Sequence, residues 1–211
     1  MKTLNQLTFS SMFVIVLLTL TIRAQSQISP NTTNTIVKIE DFNNGFAGRN
    51  LLNKDTGCFE APKETRVNDI EQNYKYLDDD NFALRLDYNV TGSDGGSVGY
   101  WTRLAKLDQS VSIDSLKLVF DIKGDEEKGY TTMLKIDMKA DKGNEVSSVR
   151  VGGINAEWQK KEIPLTKFSE ISDWENLYEL VFVLSATDFT PDDSLNGVLY
   201  LVSCHACNVV I

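Results

Sequence analysis

Hydrophobic and polar positions alternate in several short runs along this chain from residue 82 onward. Phe82, Leu84, Leu86, Tyr88 and Val90 interleave with Ala83, Arg85, Asp87 and Asn89. Leu116, Leu118, Phe120 and Ile122 interleave with Lys117, Val119, Asp121 and Lys123, and Leu134, Ile136 and Met138 with Met133, Lys135, Asp137 and Lys139. A period of two predicts strands with one buried and one wet face. Leu180 to Leu184 is apolar throughout, which predicts a strand covered on both faces. Further strands are expected at Ile36–Phe42, within Glu157–Phe168 and at Gly197–Leu201. Turn residues separate the runs at Gly92–Gly96, Gly124–Gly129 and Asp141–Asn144. Residues 43–80 carry no sustained period and read as a long loop with a short strand near Arg66–Ile70, and Ser169–Asn176 reads as one helical turn. Many short strands at such spacing predict an all-β sandwich or barrel.

The N-terminus has the pattern of an export signal. Lys2 precedes an apolar stretch, Phe9 to Ile22, broken only by Ser and Thr, and Ala24-Gln25-Ser26 resembles a cleavage site. The stretch falls short of the about 20 apolar residues a membrane span needs. The expected organisation is a signal peptide at 1–26, a flexible leader at 27–35 and one domain at 36–211. The chain holds 21 Lys+Arg against 30 Asp+Glu, and loss of Lys2 and Arg23 with the signal takes the net charge from −9 to −11. That balance argues against nucleic acid and anionic membranes as partners, since both want a basic patch. It suits a secreted or extracellular protein, periplasmic or cell-surface in a bacterium. Asn31 and Asn89 head N-x-[ST] sequons, which matter only in a glycosylating host.

Three cysteines are present, Cys58, Cys204 and Cys207. Export exposes them to oxidation, and pinning a long loop favours a disulfide from Cys58 to Cys204 or Cys207. Cys204-His-Ala-Cys207 lacks the strand-to-helix setting of a redox pair. A zinc set of Cys58, Cys204, His205 and Cys207 lacks the paired spacing such sites use.

Four stretches carry a resemblance to a known family: Ile39-Glu-Asp-Phe42, Ser97-Val-Gly-Tyr-Trp-Thr102, Glu157-Trp-Gln-Lys-Lys-Glu-Ile-Pro-Leu165 with Phe168, and Asp173-Trp-Glu-Asn-Leu-Tyr-Glu-Leu-Val-Phe182. In this order they resemble the galactose-binding-like jelly rolls, and most of all family 11-type carbohydrate-binding modules and the complex I intermediate-associated protein domain. The resemblance implies a jelly-roll β-sandwich of two antiparallel sheets and non-catalytic binding of carbohydrate or another partner. It also implies a structural calcium held by acids on the opening and closing strands. Glu40 and Asp41 match the first half, whereas Val202-Ser-Cys-His-Ala-Cys207 departs from the acid-containing closing run.

Sugar binding needs a flat apolar surface for the pyranose face and planar polar groups for the hydroxyls. With Val98, Tyr100 and Thr102 turned to the core, Trp101 and Arg103 would be presented together. The opposite facing would bury Trp101 and present Tyr100. Tyr130 is a candidate second stacking ring. Trp158 and Trp174 are expected to plug the sandwich ends. No clustered pair of carboxylates nominates a glycosidase. The acidic runs Asp78–Asp80 and Asp188–Asp193 read as solvated loops, and the single histidine, His205, leaves little room for a Ser-His-Asp site. The leading expectation is a secreted non-catalytic carbohydrate binder. A small glycan-active enzyme and a protein-binding adhesion or assembly domain are the alternatives.

Overall fold

The computed structural model describes residues 36–42, 48–61, 69–78, 81–91, 96–106 and 112–208, all within the domain Thr33–Ile211; for 69–78, 81, 207 and 208 the description covers the backbone alone. The expected signal peptide, leader and Gly92–Gly95 turn lie outside the described residues.

Two antiparallel sheets form a sandwich. One contains β3 (Asp69–Asp78), β4 (Asn81–Asn89), β11 (Asn196–Asn208), β6 (Leu116–Gly124) and β9 (Gln159–Pro164) in that spatial order, with β1 (Ile36–Glu40) on the second half of β11. The other contains β2 (Thr56–Ala61), β5 (Ser97–Arg103), β10 (Leu177–Ser185), β7 (Leu134–Ala140) and β8 (Glu145–Val151). Among the described residues the helical pieces are single 3-10 turns, and no helix is long and apolar enough to cross a membrane. This is an all-β sandwich, as the alternation predicts, with the two antiparallel sheets of the jelly roll that the resemblance implies.

The alternating positions meet between the sheets. Leu84, Leu86, Phe120, Ile122, Leu199 and Leu201 from one side face Val98, Tyr100, Ile136, Leu180, Phe182 and Leu184 from the other. Phe120 and Phe182 meet edge to face with ring centroids 5.3 Å apart, the arrangement aromatic quadrupoles favour. Phe168 and Ile171, after β9, and the half-buried Trp174 complete the core.

Three expectations need correction. The expected loop at 43–80 contains β2 and β3. Both are outer strands, and their sequences, Thr-Gly-Cys-Phe-Glu-Ala and Asp-Ile-Glu-Gln-Asn-Tyr-Lys-Tyr-Leu-Asp, are polar enough to hide a two-residue period. The last strand runs to Asn208 instead of ending at Leu201. A bulge explains why its period disappears: Ser203 adopts φ 50° and pairing shifts between Val202 and His205, so the core side passes from Leu201 to Cys204. Trp158 is not an end plug. It is 39% exposed, with Lys123 Nζ 5.4 Å from its ring centroid.

Candidate functional site

Strand β5 obeys the alternation strictly. Val98, Tyr100 and Thr102 are at most 1% exposed, while Trp101 and Arg103 project from the outer face of the five-stranded sheet. There they line a groove of about 490 Å³ with Phe59 of β2, Glu179 and Val181 of β10, and Asp137 of β7.

The register builds this face row by row. Trp101 sits between Gly57 and Val181, and Val181 in turn opposes Asp137. One row along, Gly99 sits between Phe59 and Val183, and Val183 opposes Lys135. In both rows an aromatic ring lies over a glycine. A Cβ on Gly57 would come within 3.0 Å of Trp101 Cζ2, and one on Gly99 would collide with the Phe59 ring and the Phe182 carbonyl oxygen. The glycines let both rings lie low on the sheet, leaving an apolar floor of Trp101, Phe59, Val181 and Val183.

Charge forms the rim. Arg103, Glu179 and Lys139 are register neighbours; Glu179 lies 3.2 Å from Arg103 Nη1 and 2.8 Å from Lys139 Nζ. Asp137 pairs with Lys135 at 3.4 Å and accepts a hydrogen bond from Ser148 Oγ at 2.6 Å. The Arg103 guanidinium lies 3.7 Å from the Tyr178 ring centroid and 5.2 Å from that of Trp101. Tyr178 reaches this position through a register shift between Leu177 and Glu179, which leaves Leu177 in the core and turns Tyr178 outward. The guanidinium is thus held between two aromatic faces, an arrangement that suits Arg better than Lys.

Of the expected ligand residues, Trp101 and Arg103 are brought together and the other two are not. Tyr100 is 1% exposed in the core, its ring against Phe42 and Phe182 at centroid distances of 6.2 and 6.5 Å. Its neighbour Trp101 takes the outward place because residues of one strand alternate. Tyr130 is half-buried and packs across Gly124 against the core, away from the groove. Phe59, Asp137, Lys139, Tyr178 and Glu179 were not singled out by sequence reasoning. The wet positions of β7 were legible as a face, but Phe59 lay in the expected loop and the bulge at Tyr178 leaves no local mark.

Of the two expected calcium ligands, Glu40 and Asp41, the first is engaged within its own turn. Glu40 is 5% exposed, and its Oε1 accepts the amides of Asp41 and Phe42 at 3.2 and 3.1 Å. Those bonds hold Phe42 at φ 59° and turn its ring into the core. Burial raises the Glu40 pKa, against the pull of the two amides. Across the strand pair Glu40 faces Cys204, not a second carboxylate. No group of three His, Cys, Asp or Glu side chains converges among the described residues, and the Cys207 side chain of the zinc set lies outside them.

No disulfide joins Cys58 to Cys204. Both thiols sit in or against the core, and burial raises their pKa values, that of Cys58 to about 12. Such thiols carry little of the thiolate that disulfide chemistry requires. The alternative partner, the Cys207 side chain, lies outside the described residues.

No protein-family model matches the chain, and no curated protein matches it. Solved structures do. A family 11 carbohydrate-binding module from Clostridium thermocellum, in complex with a β-1,3-1,4-mixed-linked tetrasaccharide, superposes with a TM-score of 0.58 at 16% identity, covering 83% of this chain and 96% of that one. The family 11 module of a cellulosomal cellulase of the same organism gives 0.55 at 16% identity, over 83% and 96% of the two chains. An exo-β-agarase gives 0.56 at 10% identity, over 83% of this chain and 25% of its own. The chain therefore has the β-sandwich fold seen in family 11 carbohydrate-binding modules.

Proposed function

We propose that the protein is a secreted, non-catalytic carbohydrate-binding module and that the groove over the five-stranded sheet is its binding face. The observation that carries this reading is Trp101, whose ring lies over Gly57 on the floor of an open groove. An aromatic face accepts the C–H face of a pyranose, and Arg103, Lys139, Glu179 and Asp137 offer donors and acceptors to its hydroxyls. The shared fold of a module solved with a tetrasaccharide supports the reading. The export-signal pattern at 1–26 supports secretion.

The ion pairs favour binding over hydrolysis. A glycosidase needs one carboxyl group to protonate the leaving oxygen and a second to act as nucleophile or base. The groove's two carboxylates, Asp137 and Glu179, are both ion-paired, Glu179 with two cations. Affinity electrophoresis through gels containing different polysaccharides, with reducing ends assayed in parallel, tests this. Retardation without released ends is expected. Released ends would make the protein an enzyme, and no retardation by any glycan would refute the binding reading.

A further inference from the structure

We propose that the glycan is anionic, with uronate carboxylates or sulfate esters seated in a lysine-lined cavity at one end of the groove; this rests on the carbohydrate-binding reading above. The cavity, about 400 Å³, is lined by Lys54, Lys106, Lys142, Asp141, Leu104 and Tyr178, among others. It borders the groove, because Tyr178, in its wall, carries the Arg103 guanidinium on its ring.

Three observations point to an anion. First, the cavity's lysines are unspent: Lys54, Lys106 and Lys142 form no ion pair among the described residues, whereas Arg103, Lys135 and Lys139 in the groove are each paired with Glu179 or Asp137. The one acid in the cavity's lining among the described residues, Asp141, accepts a hydrogen bond from Asn144 Nδ2 at 2.9 Å. Second, this cationic cluster stands on a chain of net charge −9, where chance placement favours the opposite sign. Third, the Lys54 loop is tied down and Lys142 occupies a constrained turn. The Asn50 side chain donates to Thr102 Oγ1 at 2.8 Å and to the Arg103 carbonyl at 2.6 Å, and accepts from the Lys54 amide at 2.9 Å, tying the Lys54 loop to the end of β5. Lys142 sits at φ 56°, where glycine would be less strained. Lysine heads are compact, strongly hydrated charges and suit an anion that remains partly in water. A sugar lying on Trp101 would extend past Arg103 and place the carboxylate or sulfate of a following unit among them.

The test compares matched polysaccharides on the exported protein by affinity electrophoresis and isothermal titration. Polygalacturonate supplies carboxylates, carrageenan supplies sulfate esters, and mixed-linkage glucan and agarose are neutral counterparts. One or both acidic polymers should bind at least about tenfold more tightly than the neutral ones. That preference should collapse near 1 M salt, where the screening length falls to about 3 Å. The variant Lys54→Ala/Lys106→Ala/Lys142→Gly should lose about tenfold toward the acidic polymer and keep its affinity for any neutral glycan and its unfolding temperature. Equal binding of acidic and neutral polymers, or an unaltered preference in the lysine variant, overturns the inference and leaves the carbohydrate reading intact. Failure to bind any glycan overturns both. Binding of polyglutamate as tight as that of polygalacturonate and insensitive to Trp101→Ala would make the site a general anion surface and overturn the inference as well.

Discussion

The sandwich has two outer faces, and among the described residues the aromatic residue near the middle of each is treated differently: Tyr200 is covered, whereas Trp101 lines an open groove. On the six-stranded sheet Tyr200 is 2% exposed. It forms a small cluster with Ala83, Val198 and Val202, and Arg85 and Lys123 extend over its ring at 6.0 and 5.4 Å. Arg85 is itself fastened to Asp87 by two hydrogen bonds of 2.8 and 2.6 Å, so the cover is held down. On the five-stranded sheet Arg103 is drawn onto Tyr178, beside Trp101, and a groove remains open above the Trp101 ring. The difference lies in how much of each ring is covered. Two cations and the neighbouring apolar side chains bury Tyr200, whereas Arg103 lies against Trp101 and Tyr178 and leaves the Trp101 ring lining an open groove.

Two substitutions test that contrast. Tyr200→Ala should have the largest effect, costing about 3–5 kcal/mol of stability, the usual range for truncating a buried aromatic residue. It should leave glycan affinity unchanged at temperatures where the variant is folded. Trp101→Ala should do the reverse. It should weaken glycan binding by about 2 kcal/mol or more, as loss of a central aromatic anchor does, and lower stability by much less than Tyr200→Ala. Urea denaturation and a binding isotherm on each variant suffice. If both variants lose stability equally and binding is untouched, the two faces do not differ as argued.

A third substitution sharpens the account of the closed face. The Tyr200 hydroxyl donates to Asp125 Oδ2 at 2.7 Å, and the phenol is pushed up to about 12 by burial first and by this bond next. The same bond is the largest cause lowering the Asp125 pKa below its ordinary 3.8. A carboxylate with a lowered folded pKa contributes stability above its unfolded pKa and loses it as pH falls through the folded value. Tyr200→Phe should therefore cost about 1 kcal/mol at neutral pH. That deficit should shrink as pH falls below about 4. A deficit independent of pH would mean that the hydroxyl's contribution does not depend on the charge of Asp125, and no deficit at all would mean that packing alone holds the ring.

Much of the sandwich was legible because one sheet face is wet and the other dry. Leu118, Phe120 and Ile122 declare their strand without any tertiary knowledge. The outward facing of Trp101 followed from the same rule once Tyr100 was placed in the core. What stayed hidden was set by pairing instead of period. Phe59 belongs to an outer strand of mixed polarity, and its ring acquires a position only when Gly99 of the neighbouring strand lies beneath it. Tyr178 faces outward because of a bulge that depends on the register with β7. Tyr130 was mistaken for a platform because its turn looked exposed, although Gly124 makes room for the ring against the core.

The smallest expected effect comes from the glycine under the platform. Gly57→Ala would place a Cβ 3.0 Å from Trp101 Cζ2, with Cε2 and Nε1 at 3.2 and 3.3 Å. All three contacts are with a half-buried side chain, so the ring can lift by a few tenths of an ångström and the backbone need not move. Gly99 offers no such relief, since the Phe182 carbonyl blocks it. Stability should thus change little at Gly57, within about 0.5 kcal/mol, and alanine's smaller unfolded-state entropy partly offsets the crowding. Glycan affinity should fall by about threefold, because a ring lifted from the sheet no longer lies level with Phe59 and the rim groups. Binding isotherms on Gly57→Ala and Trp101→Ala, taken together, separate the height of the platform from its presence. An affinity unchanged in the first and lost in the second would mean that the ring is needed but its seat on Gly57 is not.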